Sequence, residues 1–130
     1  MIKKFIKNYK YKLELNRYSE HASKEWFDWE SNQRPYNRIA LVNHILKVDA
    51  LENYLEIGCQ EHNLFHSVTA SRKTCVDPER GGTDRMTSDN FFEQNNNKFD
   101  FIFIDGMHTY KQVHVDIENS IKVLNPGGWI

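Results

Sequence analysis

Four short apolar runs, each set off by glycine, proline or aspartate, constrain this chain more than any other feature. Tyr54-Leu55-Glu56-Ile57 ends at Gly58, and Thr74-Cys75-Val76 ends at Asp77-Pro78. Phe99-Asp100-Phe101-Ile102-Phe103-Ile104 ends at Asp105-Gly106, and Trp129-Ile130 opens a fourth run after Asn125-Pro126-Gly127-Gly128. Runs this short and this apolar suit strands buried on both faces. Helix-like segments lie between them. The clearest runs from Thr109 to Leu124, with Val113, Ile117, Ile121 and Leu124 on one side. Thr109 and Gln112 form a capping-box pair at its start, and Pro126-Gly127 closes it. Asn63 to Val68 is a shorter helix, and Ser88 to Gln94 another, capped by Ser88 or Asp89. Strands alternating with helices imply a doubly wound, Rossmann-like parallel sheet of the α/β class with right-handed crossovers. The run at Tyr54 is expected at its centre, with a short strand near Arg85 to Thr87 at the edge.

Before Ala50 the texture is different and reads as helical. Ala22 to Trp29 is aromatic and charged, and Arg34-Pro35 breaks it. Ile39, Val42, Ile45 and Leu46 then recur at helical spacing. The expected organisation is an N-terminal helical extension over 1–50 and an α/β domain over 51–130, incomplete at its C-terminus. With 39% hydrophobic residues, 130 residues suffice for one real core. A formal net charge of -1 gives no pull toward nucleic acid or membrane, and no apolar run is long enough to span a bilayer. Lys3, Lys4, Lys7, Lys10 and Lys12 alternate with aromatics and read as a solvated amphipathic segment. Cys59 and Cys75 have neither the number nor the spacing of a disulfide scaffold or zinc site, so a reduced, cytoplasmic protein is expected. The sequence stops inside the fourth run. The expectation is a fragment, or a shortened relative that completes itself as a homo-oligomer through its exposed sheet edge.

In an open parallel sheet, ligands bind beyond the carboxyl ends of the strands. Here those ends are polar: Gly58 to Glu61, then Asp77, then Asp105 to His108. A carboxylate at the second tip suits a ribose, since it can accept from both hydroxyls. His108 is the candidate base, because histidine titrates near neutrality without help, and Asp105 can orient it. His62 and His66 have the spacing of a metal pair but lack a third ligand, and read as surface histidines.

These residues also resemble a family. Tyr54 to Gly58 resembles the first motif of class I S-adenosylmethionine-dependent methyltransferases, and Cys75-Val76-Asp77-Pro78 their second, acidic motif. Phe99 to His108 is similar to the strand-four signature of a bacterial and phage branch, as is Gly81 to Phe92. Asn125-Pro126-Gly127-Gly128 matches the turn before strand five, so the resemblance covers about Asn53 to Ile130. It implies an S-adenosylmethionine site built from Glu56, Gly58, Cys59, Asp77, Pro78, Ser88, Asp89 and Asp105. Glu56 and Gly58 would flank the methionine end, Asp77 would hold the ribose, and Ser88 and Asp89 would lie beside the adenine. His108 and Asp105 would be catalytic, with Asp105 also a candidate ligand for a divalent metal. The departure is the loop after Gly58, which carries no second glycine. The implied activity is O-methyl transfer to a hydroxyl of a small molecule or sugar, not expected from this chain alone. Its rivals are a non-catalytic, degenerate binding module acting as an interaction partner, and a dinucleotide oxidoreductase, against which the missing glycine fingerprint argues.

Overall fold

The computed structural model describes residues 38–60 and 63–130. The lysine-rich start, the Ala22 to Trp29 segment and His62 lie outside the described residues. Helix α1 (Arg38–Val48) is followed by β1 (Asn53–Ile57), α2 (Asn63–Ser67), β2 (Arg72–Val76) and α3 (Ser88–Gln94). Then come β3 (Phe99–Ile104), α4 (Tyr110–Val123) and β4 (Leu124–Trp129). The four strands form one parallel sheet in the order β2-β1-β3-β4, with β1 inside as expected. Near the expected edge strand there is a single parallel bridge, between Val76 and Asp84.

Strand alternation distributes the core over both faces of the sheet. Tyr54, Cys75 and Phe101 point to one side, where Val42 and Leu46 of α1 and Leu64 and Phe65 of α2 cover them. Leu55, Ile57, Val76 and Ile102 point to the other, against Phe91 of α3 and Val123 at the end of α4. The change of texture at residue 50 is therefore not a packing boundary, because α1 buries its stripe in the same core as β1. Helix α1 stops at Ala50, whose φ is 52°, with the Leu51 N–H donating to the Leu46 carbonyl at 2.9 Å. That is the left-handed stop usually given to glycine.

Three local expectations are corrected. The cap of α3 is Thr87, whose side chain accepts from the Asn90 N–H, and not Ser88 or Asp89. Both of those accept instead from the Gln112 side chain. Strand β4 starts at Leu124, opposite Phe99, and pairs again only at Trp129, opposite Phe101. The Asn125 to Gly128 stretch bulges between them instead of preceding the strand.

The third correction concerns α4. Its expected apolar stripe is not what meets the sheet: Asp116 and Ser120 are buried at 1% and 0% exposure, while Ile121 is 61% exposed. The helix is rotated so that a polar row faces inward. Thr109 caps it through the Gln112 N–H, but the Gln112 side chain does not complete the capping box. Its amide nitrogen lies between Ser88 Oγ, Asp89 Oδ1 and Asp116 Oδ1, at 3.3, 3.1 and 3.2 Å.

Candidate functional site

The carboxyl ends of the strands open onto a cleft of about 490 Å³, a volume that suits a small ligand. Gly58 and Gln60 line it from the β1 tip, Asp77, Pro78 and Arg80 from the β2 tip. Ser88 and Asp89 close the α3 side, Asp105 and Gly106 the β3 side, and Gln112 reaches in from α4. Six of the eight residues expected at a cofactor site thus converge on one cleft. Glu56 and Cys59 do not. Period-two alternation turns Glu56 to the opposite face of the sheet, beside Tyr54, and Cys59 packs into the core on that side.

Asp77 is held where its β2 tip meets the β1 loop. It accepts from the backbone N–H of Gln60 at 3.0 Å and from those of Glu79 and Arg80, both at 2.9 Å. Burial works to raise its pKa, but the N–H groups of Arg80, Gln60 and Glu79 outweigh it and hold the carboxyl below its usual range. A carboxylate has about four acceptor positions. With three occupied by backbone, Asp77 has room for one incoming hydroxyl rather than for two.

Gly58 turns the chain with φ at 88°. A Cβ there would collide with the Asp105 carbonyl and lie 2.5 Å from the Gly106 Cα. The close approach this glycine permits is therefore between the β1 and β3 tips.

Asp105 is engaged on both oxygens. Arg38 donates to Oδ2 at 2.8 Å, and His108 Nε2 lies 3.0 Å from Oδ1. A carboxylate already paired with a guanidinium is a poor cation ligand. Among the described residues no three histidine, cysteine or acidic side chains form a metal-binding group, so the expected metal role of Asp105 does not fit. His108 does not line the cleft: it borders a separate hollow with Tyr110 and His114, one residue beyond Met107, which does line the cleft.

Glu56 shows what its turned position does. Tyr54 Oη donates to its Oε2 at 2.8 Å, and burial pushes the Glu56 carboxyl up to about 7, against the pull of Tyr54 and Arg38. The folded domain therefore keeps this proton where the unfolded chain, with its value of 4.5, has lost it. The stability Glu56 contributes is full below about 4.5 and lost as pH rises to about 7. Glu56→Gln does not titrate, so it should gain on the parent by about 2–3 kcal/mol between about pH 5 and about pH 8. Urea melts at the two pH values read this directly. A gap that does not move with pH would mean that Glu56 ionises as if in water.

Cys59 and Cys75 face each other across the β1 and β2 tips, with Cα atoms 6.1 Å apart, a separation that a disulfide can bridge. The crossover through α2 brings β2 back beside β1, a proximity that cysteine count and spacing do not report.

A parallel sheet with its second-strand carboxylate in the cleft narrows the family, and comparison decides it. Residues 40–130 match a family model described as a methyltransferase domain. The chain belongs to that family. By family it falls among the class I S-adenosylmethionine-dependent methyltransferases, and its all-parallel sheet is that of their fold. No curated protein and no solved structure gives a match. Among the described residues of this methyltransferase domain, no helix is long and apolar enough to cross a membrane.

The functional residues that sequence reasoning missed are Arg38 and Gln112. Arg38 sits 67 positions from its partner and has no local signature. Gln112 did have one: its spacing of four from Asp116 is a side-chain pair on one helix face.

Proposed function

We propose that this methyltransferase domain binds S-adenosylmethionine in the cleft and methylates a hydroxyl of a small molecule or sugar. The observation that carries the reading is two carboxylates on separate walls of one cleft, Asp77 at the β2 tip and Asp89 at the start of α3. Their separation by the floor of Ile57, Val76 and Gly58 suits a ligand with a sugar at one end and a base at the other. When bound, the cofactor supplies a methyl group activated by a positively charged sulfur.

The chain's own residues then have distinct tasks. Asp77 accepts one ribose hydroxyl on its remaining lone pair. Pro78 and Ile57 present apolar surface to the nucleoside, which excludes water from it. Asp105, held by Arg38, accepts only, so in neutral His108 the proton resides on Nε2 and the Nδ1 lone pair is free. That nitrogen takes the proton of the acceptor hydroxyl as its oxygen is methylated.

Calorimetric titration with S-adenosylhomocysteine, with NAD as control, tests the cofactor. Binding of the first and not the second is expected. NAD binding alone would favour an oxidoreductase. Binding of neither would favour a non-catalytic module, a reading that draws on the 77% exposure of the His108 side chain. For the base, His108→Ala in a longer, active form of the chain should leave S-adenosylhomocysteine affinity intact and slow methyl transfer about 10²–10⁴-fold. Product formation from S-adenosylmethionine across a panel of hydroxyl acceptors measures it, and an unchanged rate removes His108 from the chemistry.

A further inference from the structure

We infer that Gln112, aimed by Asp116, is the residue with which this site tells a 6-aminopurine from a 6-oxopurine. The inference rests on the cofactor reading above and concerns the adenine end alone. Gln112 lines the cleft beside Ser88 and Asp89, on the α4 side. Its amide nitrogen has three acceptors around it, two of them carboxylate oxygens of Asp89 and Asp116.

Carboxylates accept and do not donate, so only the NH₂ side of the amide can face them. The orientation of the amide is thereby dictated by chemistry, with the carbonyl oxygen turned the other way. That oxygen has no hydrogen-bond partner among the described residues. Asp116, 1% exposed, has Gln112 as its hydrogen-bond partner and no ion pair among the described residues. A buried carboxylate is costly to retain, and this one contributes a fixed anchor for the amide.

Asp89 gives Oδ1 to Gln112 and keeps Oδ2. Gln112 and Asp89 both line the cleft, and we assign the two hydrogens of an exocyclic amino group to Gln112 Oε1 and Asp89 Oδ2. A 6-oxo group would meet the same atoms with lone pairs. Gln112 reads the base, and Asp116 is its positioning residue.

The test titrates the full chain with S-adenosylhomocysteine and with S-inosylhomocysteine, which differ at the 6-substituent and, with it, at N1, an acceptor in the first and an N–H donor in the second, so the variants below assign the preference. The parent should prefer the amino form by about a hundredfold or more. Gln112→Met should reduce the preference to less than about tenfold by weakening the amino form and easing the oxo form. Since that change strands a buried carboxylate, the paired variant Gln112→Met with Asp116→Leu removes both partners together, which is close to neutral for folding. It should show the same collapse. Equal affinity of the parent for both ligands, or undiminished preference in a folded variant, overturns the assignment of Gln112 and leaves the cofactor reading standing. Binding of neither ligand overturns both.

Discussion

Replacing Gly58 with alanine should destabilise the domain by about 3 kcal/mol and lower its melting temperature by roughly 12–24 °C. Two costs add. The φ of 88° is one that an L-residue adopts only with strain, about 1–2 kcal/mol. The added methyl also meets backbone, the Asp105 carbonyl and the Gly106 Cα, which cannot swing aside as a side chain would. The β1 and β3 tips must part, and both line the cleft, so ligand affinity should fall with stability. Gly127 supplies the control. Its φ is 79°, but nothing lies within 4 Å of the position its Cβ would take. Gly127→Ala should therefore show the conformational cost alone, about 1 kcal/mol. Thermal melts followed by circular dichroism compare the two, and equal shifts would remove the close approach from the account.

Asp77→Ala should weaken S-adenosylhomocysteine binding about thirtyfold to several hundredfold, the largest loss expected from any single cleft side chain. Truncation removes the acceptor for a ribose hydroxyl. It also frees the N–H groups of Gln60, Glu79 and Arg80, which lose the anion that now gathers them. The second effect distinguishes Asp77 from a residue that only touches ligand. Asp77→Asn keeps an acceptor oxygen for Glu79 and Arg80 but sets an amide donor against Gln60 or the ribose, so it should fall between parent and alanine. Because Asp77 is held below the usual carboxylate range, parent affinity should stay level as pH falls toward about 4. Calorimetry across the three proteins measures all of this. Unchanged affinity in Asp77→Ala would move the ribose elsewhere.

The strands of this domain were legible because burial on both faces demands continuous apolar runs, and Leu55, Val76 and Ile102 supply them. Their polar tips were legible for the same reason, since a run must stop where the sheet does. The faces were less legible. Period two separates Glu56 from Leu55 and Ile57 and sets it beside Tyr54, off the cleft lining, which the resemblance to a family motif does not convey. For α4, spacing of apolar residues suggested a stripe through Ile117 and Ile121, but spacing does not say which side meets the sheet. The polar row through Gln112 and Asp116 does, through partners at Ser88 and Asp89 that lie 24 and 23 positions away. The Cys59–Cys75 pair and the Arg38–Asp105 pair were hidden likewise: each joins segments that only the folded topology brings together.

The polar seating of α4 has a thermodynamic consequence. Most helices of such a sheet are held by apolar area, which is indifferent to what occupies the cleft. This one is held in part by a hydrogen-bond row whose outer members, Gln112 and Asp89, are cleft atoms. A ligand that engages them is a ligand of the seated helix, and by linkage each must strengthen the other by one common factor. Saturation of the cleft and docking of α4 are then coupled equilibria, and a substitution that weakens the seating of the helix is felt as a change in affinity without touching the ligand.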